Sequence, residues 1–315
     1  MFRPRAIWNI LLQSKSPIKE HPDNLPLAVA VIILTVLALS LGDALIKFTS
    51  GEFVIWQIFV LRSLLVLPIL LVYLRIKAPA ALTIPPALCW TILRSLMLVG
   101  MWIAYYLSLP NLDLSIAAAA YYTLPIFITL FSAALIGDRI SFLGWAAVTV
   151  GFFGVLLILR PKAGDFNLYA LLPLVSAVLY ALSMILTRTK CRAVNPLMLS
   201  VALNLAFVVV GTLVALSITA FASEPREGFM LAPWAEMGRA EWVSMVLLAT
   251  AILIGSVGAA IAYQNGPPSV IGTFDFTYVG FALLWGLVFF AEVPDLLSLI
   301  GMGLIVAAGI MSLRQ

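Results

Sequence analysis

Apolar runs without a single charge follow one another along almost the whole chain. Leu114–Gly137 carries none in 24 residues, Ile140–Leu159 none in 20 and Phe166–Thr187 none in 22. A helix rises about 1.5 Å per residue, so roughly 20 residues cross a hydrocarbon core about 30 Å thick. The strict alternation of a lipid-facing strand is absent, which argues against a membrane β-barrel. Helices satisfy every backbone N–H and C=O within their own segment, and they are the remaining way to span lipid.

The breaks between runs divide the chain into ten predicted spans: 26–47, 54–74, 86–108, 114–136, 141–159, 167–187, 196–220, 241–263, 269–290 and 296–313. Trp242–Phe274 is uncharged for 33 residues, too long for one crossing. Gln264-Asn265-Gly266-Pro267-Pro268 divides it, because proline starts helices and does not continue them. Asn195-Pro196 marks the start of the seventh span in the same way. Pro68, Pro125 and Pro173 fall within spans and are expected to kink them.

Composition agrees with lipid as the solvent. Of 315 residues, 63% are hydrophobic and 10% charged, and the mean hydropathy is +1.12; soluble domains carry about 25% charged residues. The net charge of +4 is spread over loop ends, so no basic stripe offers itself to nucleic acid. Cys89 and Cys191 read as free thiols. His21, the one histidine, lies in the polar and basic tail of residues 1–25, which excludes histidine-based metal or proton chemistry inside the membrane.

An even number of spans places both termini on one side. With that side inside, inner loops and tails hold 11 of the assigned lysines and arginines and outer ones 5. The positive-inside rule then predicts cytoplasmic termini and a multi-pass protein of the bacterial inner membrane.

The chain also repeats itself. A shift of 154 residues places Asn111 on Asn265, Ser115 on Ser269, Thr123 on Thr277, Phe127 on Phe281, Leu130 on Leu284 and Asp138 on Glu292. Two five-span repeats follow, 26–160 and 161–315. An odd number of spans per repeat inverts the second copy, which is the architecture of alternating-access transporters with a site near the midplane.

Tyr105-Tyr106-Leu107-Ser108-Leu109, Ala117–Ala120, Pro125, Gly137-Asp138-Arg139, Trp145, Gly151–Leu156 and Arg94-Ser95-Leu96 carry a family likeness. Over about 28–313 the chain resembles the drug/metabolite transporter superfamily, in particular its EamA-type ten-helix exporters. Among these it is most similar to bacterial exporters of amino acids, aromatic ones included. Asp138 stands where that group usually has Glu, and Val279 and Val293 stand where the first repeat has Pro125 and Arg139. The resemblance implies an all-α integral membrane fold of two inverted five-helix repeats. It also implies a solute site bordered by the first, third, fourth, sixth, eighth and ninth spans.

Charge at the centre of a spanning helix costs about 2.5–3.5 kcal/mol on insertion scales, so the few such residues are candidates. Asp43 and Lys47 share a helix face. They read either as a neutralising pair, with Lys47 reaching outward, or as a gate or coupling site. Asp275 lies about 10 Å into the ninth span by helical rise. Its alternatives are a distant arginine partner or a neutral buried state, against binding a solute ammonium or a coupling proton; its repeat equivalent is Tyr121. Arg62 and Arg94 read first as anchors and second as carboxylate binders. Trp102, Tyr105, Tyr121, Tyr122, Tyr180, Phe274 and Tyr278 are candidate cavity aromatics, with helix packing as the plainer role. Gly151, Gly154, Gly301, Gly303 and Gly309 offer close helix packing or a dimer face.

The chain carries no nucleotide-binding Gly-x-x-x-x-Gly-Lys-Ser/Thr signature, no His-Glu-x-x-His and no nucleophile with a histidine base. The expected function is therefore secondary export of small organic solutes, amino acids first, with other metabolites or drugs as the alternative. No enzyme activity, cofactor or metal is expected. The expected partners are the solute and membrane lipid, and the choice between monomer and homodimer stays open. A channel would need a selectivity filter, and nothing in the chain resembles one.

Overall fold

The computed structural model describes residues 23–49, 53–82, 87–108, 121, 123–137, 139–159, 171–222, 226–290 and 296–312. The polar tail before residue 23 and Tyr122 lie outside them. All regular structure among the described residues is helical. Six helices are long and apolar enough to cross a membrane: α1 (Leu25–Thr49), α2 (Ile55–Lys77), α3 (Leu88–Ser108), α6 (Leu171–Thr189), α7 (Pro196–Phe221) and α8 (Arg239–Asn265). The other described helices are α4 (Leu124–Phe131), α5 (Phe142–Leu159), α9 (Pro268–Phe274), α10 (Thr277–Phe290) and α11 (Leu296–Ser312).

The predicted punctuation falls where the helices end. Asn195 caps α7 by accepting the Leu197 N–H at 2.9 Å, with Pro196 in the first turn. Asn265 closes α8, and Pro268 opens α9. Pro68 lies inside an α2 assigned as one continuous helix. Pro125 sits in the first turn of α4 as described, where its missing N–H costs nothing. Among the described residues, the ninth predicted span is broken at Asp275-Phe276, between α9 and α10. α4 ends in a π-turn over Ser132–Ile136, closed by Gly137 at φ +84°, a left-handed cap that glycine adopts without strain.

The outer surface is apolar, and several polar and charged side chains are buried in the core. Leu64, Ile69, Val72 and Ile76 of α2 are exposed, as are Leu205, Val209, Leu213 and Leu216 of α7. Arg62, Arg94, Asn204, Gln264 and Asp275 are buried. In water such a surface would be unstable; against acyl chains it is the expected one.

The main helix contacts are α5 with α11, α1 with α8, α3 with α6, and α2 with α7. Counting α9 and α10 as one span, exchange of span n with span n+5 maps each of these pairings onto another or onto itself. Small residues make the seams close. A Cβ on Gly154 would stand 2.7 Å from the Gly301 carbonyl oxygen, and one on Gly151 would stand 2.8 Å from the Phe276 ring. Gly255 and Gly258 of α8 lie directly against Leu39 and Thr35 of α1. These glycines pack within the chain, whereas Gly303 faces open space.

One end is fastened by charge. Asp23, ahead of α1, bonds both terminal nitrogens of Arg188 at 2.7 and 2.6 Å, and Arg192 at 2.6 Å. Arg188 also donates to the Gln264 carbonyl at 3.1 Å, and the Asn24 N–H reaches Asn265 at 3.0 Å. The hydrogen bond from Arg188, together with both positive charges, holds the Asp23 carboxyl below the usual carboxylate range although partial burial opposes this. Nearby, Lys190 rests on the Trp90 ring at 5.4 Å, so that indole serves the same end of the molecule. At the other end Gln57 clamps the backbone of Ala235 through two 2.8 Å bonds.

Candidate solute site

A cavity lies among the helices. From α1 it is lined by Val36, Leu39 and Asp43; from α3 by Arg94, Leu98, Met101, Trp102 and Tyr105; from the fourth span by Tyr121 and Leu124. Tyr180 and Met184 of α6, Leu203 of α7, and Ile252, Gly255, Ser256 and Ala259 of α8 form the opposite wall. Asp275 and Tyr278, at the α9–α10 break, complete it.

The break explains how Asp275 comes to sit there. After Thr273 the chain turns, with the Phe276 N–H reaching the Thr273 carbonyl at 3.4 Å and the Tyr278 N–H reaching that of Asp275 at 3.1 Å. Irregular backbone at membrane depth is tolerated where it borders a cavity. Asp275 is 5% exposed. Its Oδ2 accepts from the Tyr263 hydroxyl at 2.5 Å, and Tyr180 stands edge-on to Tyr263 with ring centroids 6.4 Å apart. The arginine partner considered for Asp275 is thus replaced by a neutral phenol from α8.

Asp43 is held in the same manner. It accepts from the Tyr278 hydroxyl at 2.5 Å, and one turn earlier Ser40 accepts from Trp285 at 2.9 Å. Asp43 therefore joins α1 to α10; the side chain of Lys47, its predicted partner, lies outside the described residues. Among the described residues no cation forms an ion pair with either acid.

Arg94 is 1% exposed. Its Nε donates to Thr187 at 2.5 Å, and Thr187 in turn donates to the Ser183 carbonyl at 2.9 Å. Nη1 has no partner among the described residues. A guanidinium is thereby fixed on the cavity wall with donor capacity left over.

Tyr105 and Tyr121 form an aromatic corner with centroids 5.1 Å apart. Trp102 stacks on Tyr106 at 5.3 Å. Of the candidates named from the sequence, Asp43, Trp102, Tyr105, Tyr121, Tyr180, Asp275 and Tyr278 meet in this one cavity. Phe274 does not: it is buried in the apolar core, because the turn after it sends the next side chain, not its own, to the wall. Tyr122 lies outside the described residues. Sequence reasoning missed Tyr263 and Ser256, which lie in an apolar helix with no local mark of function, and it passed over Leu203 of the seventh span. Arg94 was legible as a charge within a span, though its plainer reading was an anchor.

Residues 26–160 match the EamA-like transporter family. Over that stretch the chain is similar to the family. It is similar to the pseudopaline exporter of Pseudomonas aeruginosa strain UCBPP-PA14, with 24% identity over 291 residues covering 91% of this chain and 95% of the exporter. A riboflavin transporter of Rhizobium johnstonii is 26% identical over 69% of this chain and 66% of its own length. A solved crystal structure superposes with a TM-score of 0.77 at 18% identity, covering 92% of this chain and 98% of the other, and so shares the fold. The chain is a multi-pass membrane protein of a bacterial transporter family, and a small molecule is its substrate.

Proposed function

We propose that this EamA-family transporter exports small organic zwitterions, amino acids and compounds built from them, across the bacterial inner membrane by alternating access. The observation that carries the reading is the cavity wall: two carboxyls held by neutral hydroxyls, a fixed guanidinium, and aromatic faces between them. Asp275 is placed to receive an ammonium, Arg94 a carboxylate, and Trp102 with Tyr105 and Tyr121 an apolar side chain.

The repeats are 26–160 and 161–315, the second inverted, and both termini are cytoplasmic. In that orientation the Asp23 latch closes the cytoplasmic end, and Asp43 stands toward the outside as a gating or coupling group. Transport, with no catalysis, is the whole activity.

A second reading has one specific support, the aromatic corner: a planar heteroaromatic solute would stack there. Counterflow in proteoliposomes separates the two. Purified full-length protein is loaded with each unlabelled amino acid in turn, or with riboflavin, and entry of label is followed. Saturable, stereoselective amino-acid accumulation supports the first reading. Accumulation of riboflavin alone replaces it with the second.

A further inference from the structure

Arg62 of α2 lies beside the cavity just described, and among the described residues no hydrogen bond accounts for its burial. It is 3% exposed. Phe59 and Phe207 flank the guanidinium, their ring centroids 5.1 and 4.8 Å from its carbon. Nε and Nη2 have no hydrogen-bond partner among the described residues. An anchoring arginine uses its N–H groups on carbonyls, because an unsatisfied buried donor is costly, more so when charged. These two nitrogens share one edge of the guanidinium, the edge that gives a carboxylate two parallel hydrogen bonds. In Arg94 that edge is already engaged, since its Nε is bonded to Thr187.

The space beside Arg62 is a narrower pocket, with room for about one water-sized group. Leu39, Asp43, Trp102 and Ile252 border both it and the main cavity, so the two adjoin. Asp43 is the acid nearest to hand, yet its hydrogen bond comes from Tyr278. Asp43 and Arg62 therefore face one pocket without being joined, and an acidic group entering between them meets an unused fork.

We propose that Arg62 is a second, carboxylate-accepting subsite, which takes an acidic arm of the transported solute while Asp275 and Arg94 hold the remainder. This subsite extends the solute cavity proposed above and rests on that reading. It makes the preferred substrate a zwitterion with a further acidic group, and it makes Asp43 a competitor for Arg62 that the solute displaces.

The test uses benzoate and its uncharged isostere benzamide as probes of the full-length protein in detergent, followed by thermal unfolding. Benzoate should stabilise the wild type more than benzamide does. Arg62→Met should remove at least half of that difference, and Arg62→Lys, which keeps the charge but not the fork, should remove part of it. Asp43→Asn should enlarge it by removing the competing carboxylate. Equal stabilisation by the two probes in the wild type overturns the subsite, as does a difference that survives Arg62→Met intact. If Arg62→Met does not fold, Arg62→Lys and Asp43→Asn decide: a benzoate effect unchanged in both also overturns it. None of these readouts needs transport. Failure of amino-acid counterflow alongside an Arg62-dependent benzoate effect would remove the amino-acid reading and leave the subsite standing.

Discussion

Asp23 and Asp275 are both acids at the edge of a helix, and the protein holds them in opposite ways. Asp23 has a side chain 34% exposed and lies within reach of two arginines at 2.6 Å. Asp275 is 5% exposed and is held by tyrosine hydroxyls, Tyr263 the nearest at 2.5 Å. Where water shares the cost of desolvation, an ion pair makes a serviceable latch. In the interior, withdrawing two charges from water costs several kcal/mol per ion, and a carboxyl saturated by arginine has little left for a solute. A hydroxyl fixes the position of the acid while leaving most of its acceptor capacity unspent. The ends of the molecule are built to hold themselves, and the middle to hold something else.

The strongest way to break this contrast is Asp275→Asn, which keeps the shape and removes the charge. Loss of a charge-assisted contact of about 3 kcal/mol should lower flux by about a hundredfold, with the protein still monodisperse by size exclusion. Wild-type counterflow in that variant would take Asp275 out of the solute path. Tyr263→Phe tests the neutral holder: removing the hydroxyl leaves the buried carboxyl without its nearest donor, at about 1–3 kcal/mol, read as a lower unfolding temperature. An unchanged melting curve would mean that the phenol does not position the acid. Trp102→Ala should alter solute preference by about 2–10-fold, the equivalent of roughly 0.5–1.5 kcal/mol for an aromatic contact; an unaltered ranking in competition assays would assign the indole to packing.

The smallest effect belongs to the latch. Asp23→Asn should cost no more than about 1 kcal/mol, as exposed ion pairs do. Its pH dependence has a definite sign. The folded-state pKa of Asp23 is lowered from 3.8, so the stabilisation is present above that value and is lost as pH falls through the lower folded one. Unfolding curves of wild type and Asp23→Asn should differ at neutral pH and converge in strong acid. A difference that persists in strong acid would mean that the latch does not act through charge.

Much of the architecture was legible because lipid imposes so few solutions. Uncharged runs of bilayer length marked the spans, and Asn195-Pro196 and Pro267-Pro268 marked helix starts that the structure repeats. The break at Asp275-Phe276 was not legible. Neither residue is a helix breaker, and what permits the turn is the cavity wall beside it. Phe274 was misplaced for the same reason, since a continuous helix would present it differently. Arg94 and Asp43 announced themselves as charges in apolar segments, whereas Tyr263, a tyrosine in an apolar helix, carried no local sign of its role.

The sequence by itself determined that the chain is a bundle of membrane helices, where most of them begin and end, and which side chains are too costly to bury without purpose. Those follow from local chemistry: backbone satisfaction, side-chain transfer energy and proline geometry each act within a few residues. Only the tertiary structure decided partners. Asp43 meets Tyr278 across 235 positions of chain, and Arg62 lies beneath Phe207 of another helix. Such pairings depend on which helix faces pack together, and packing is a property of the assembled bundle that no single span carries.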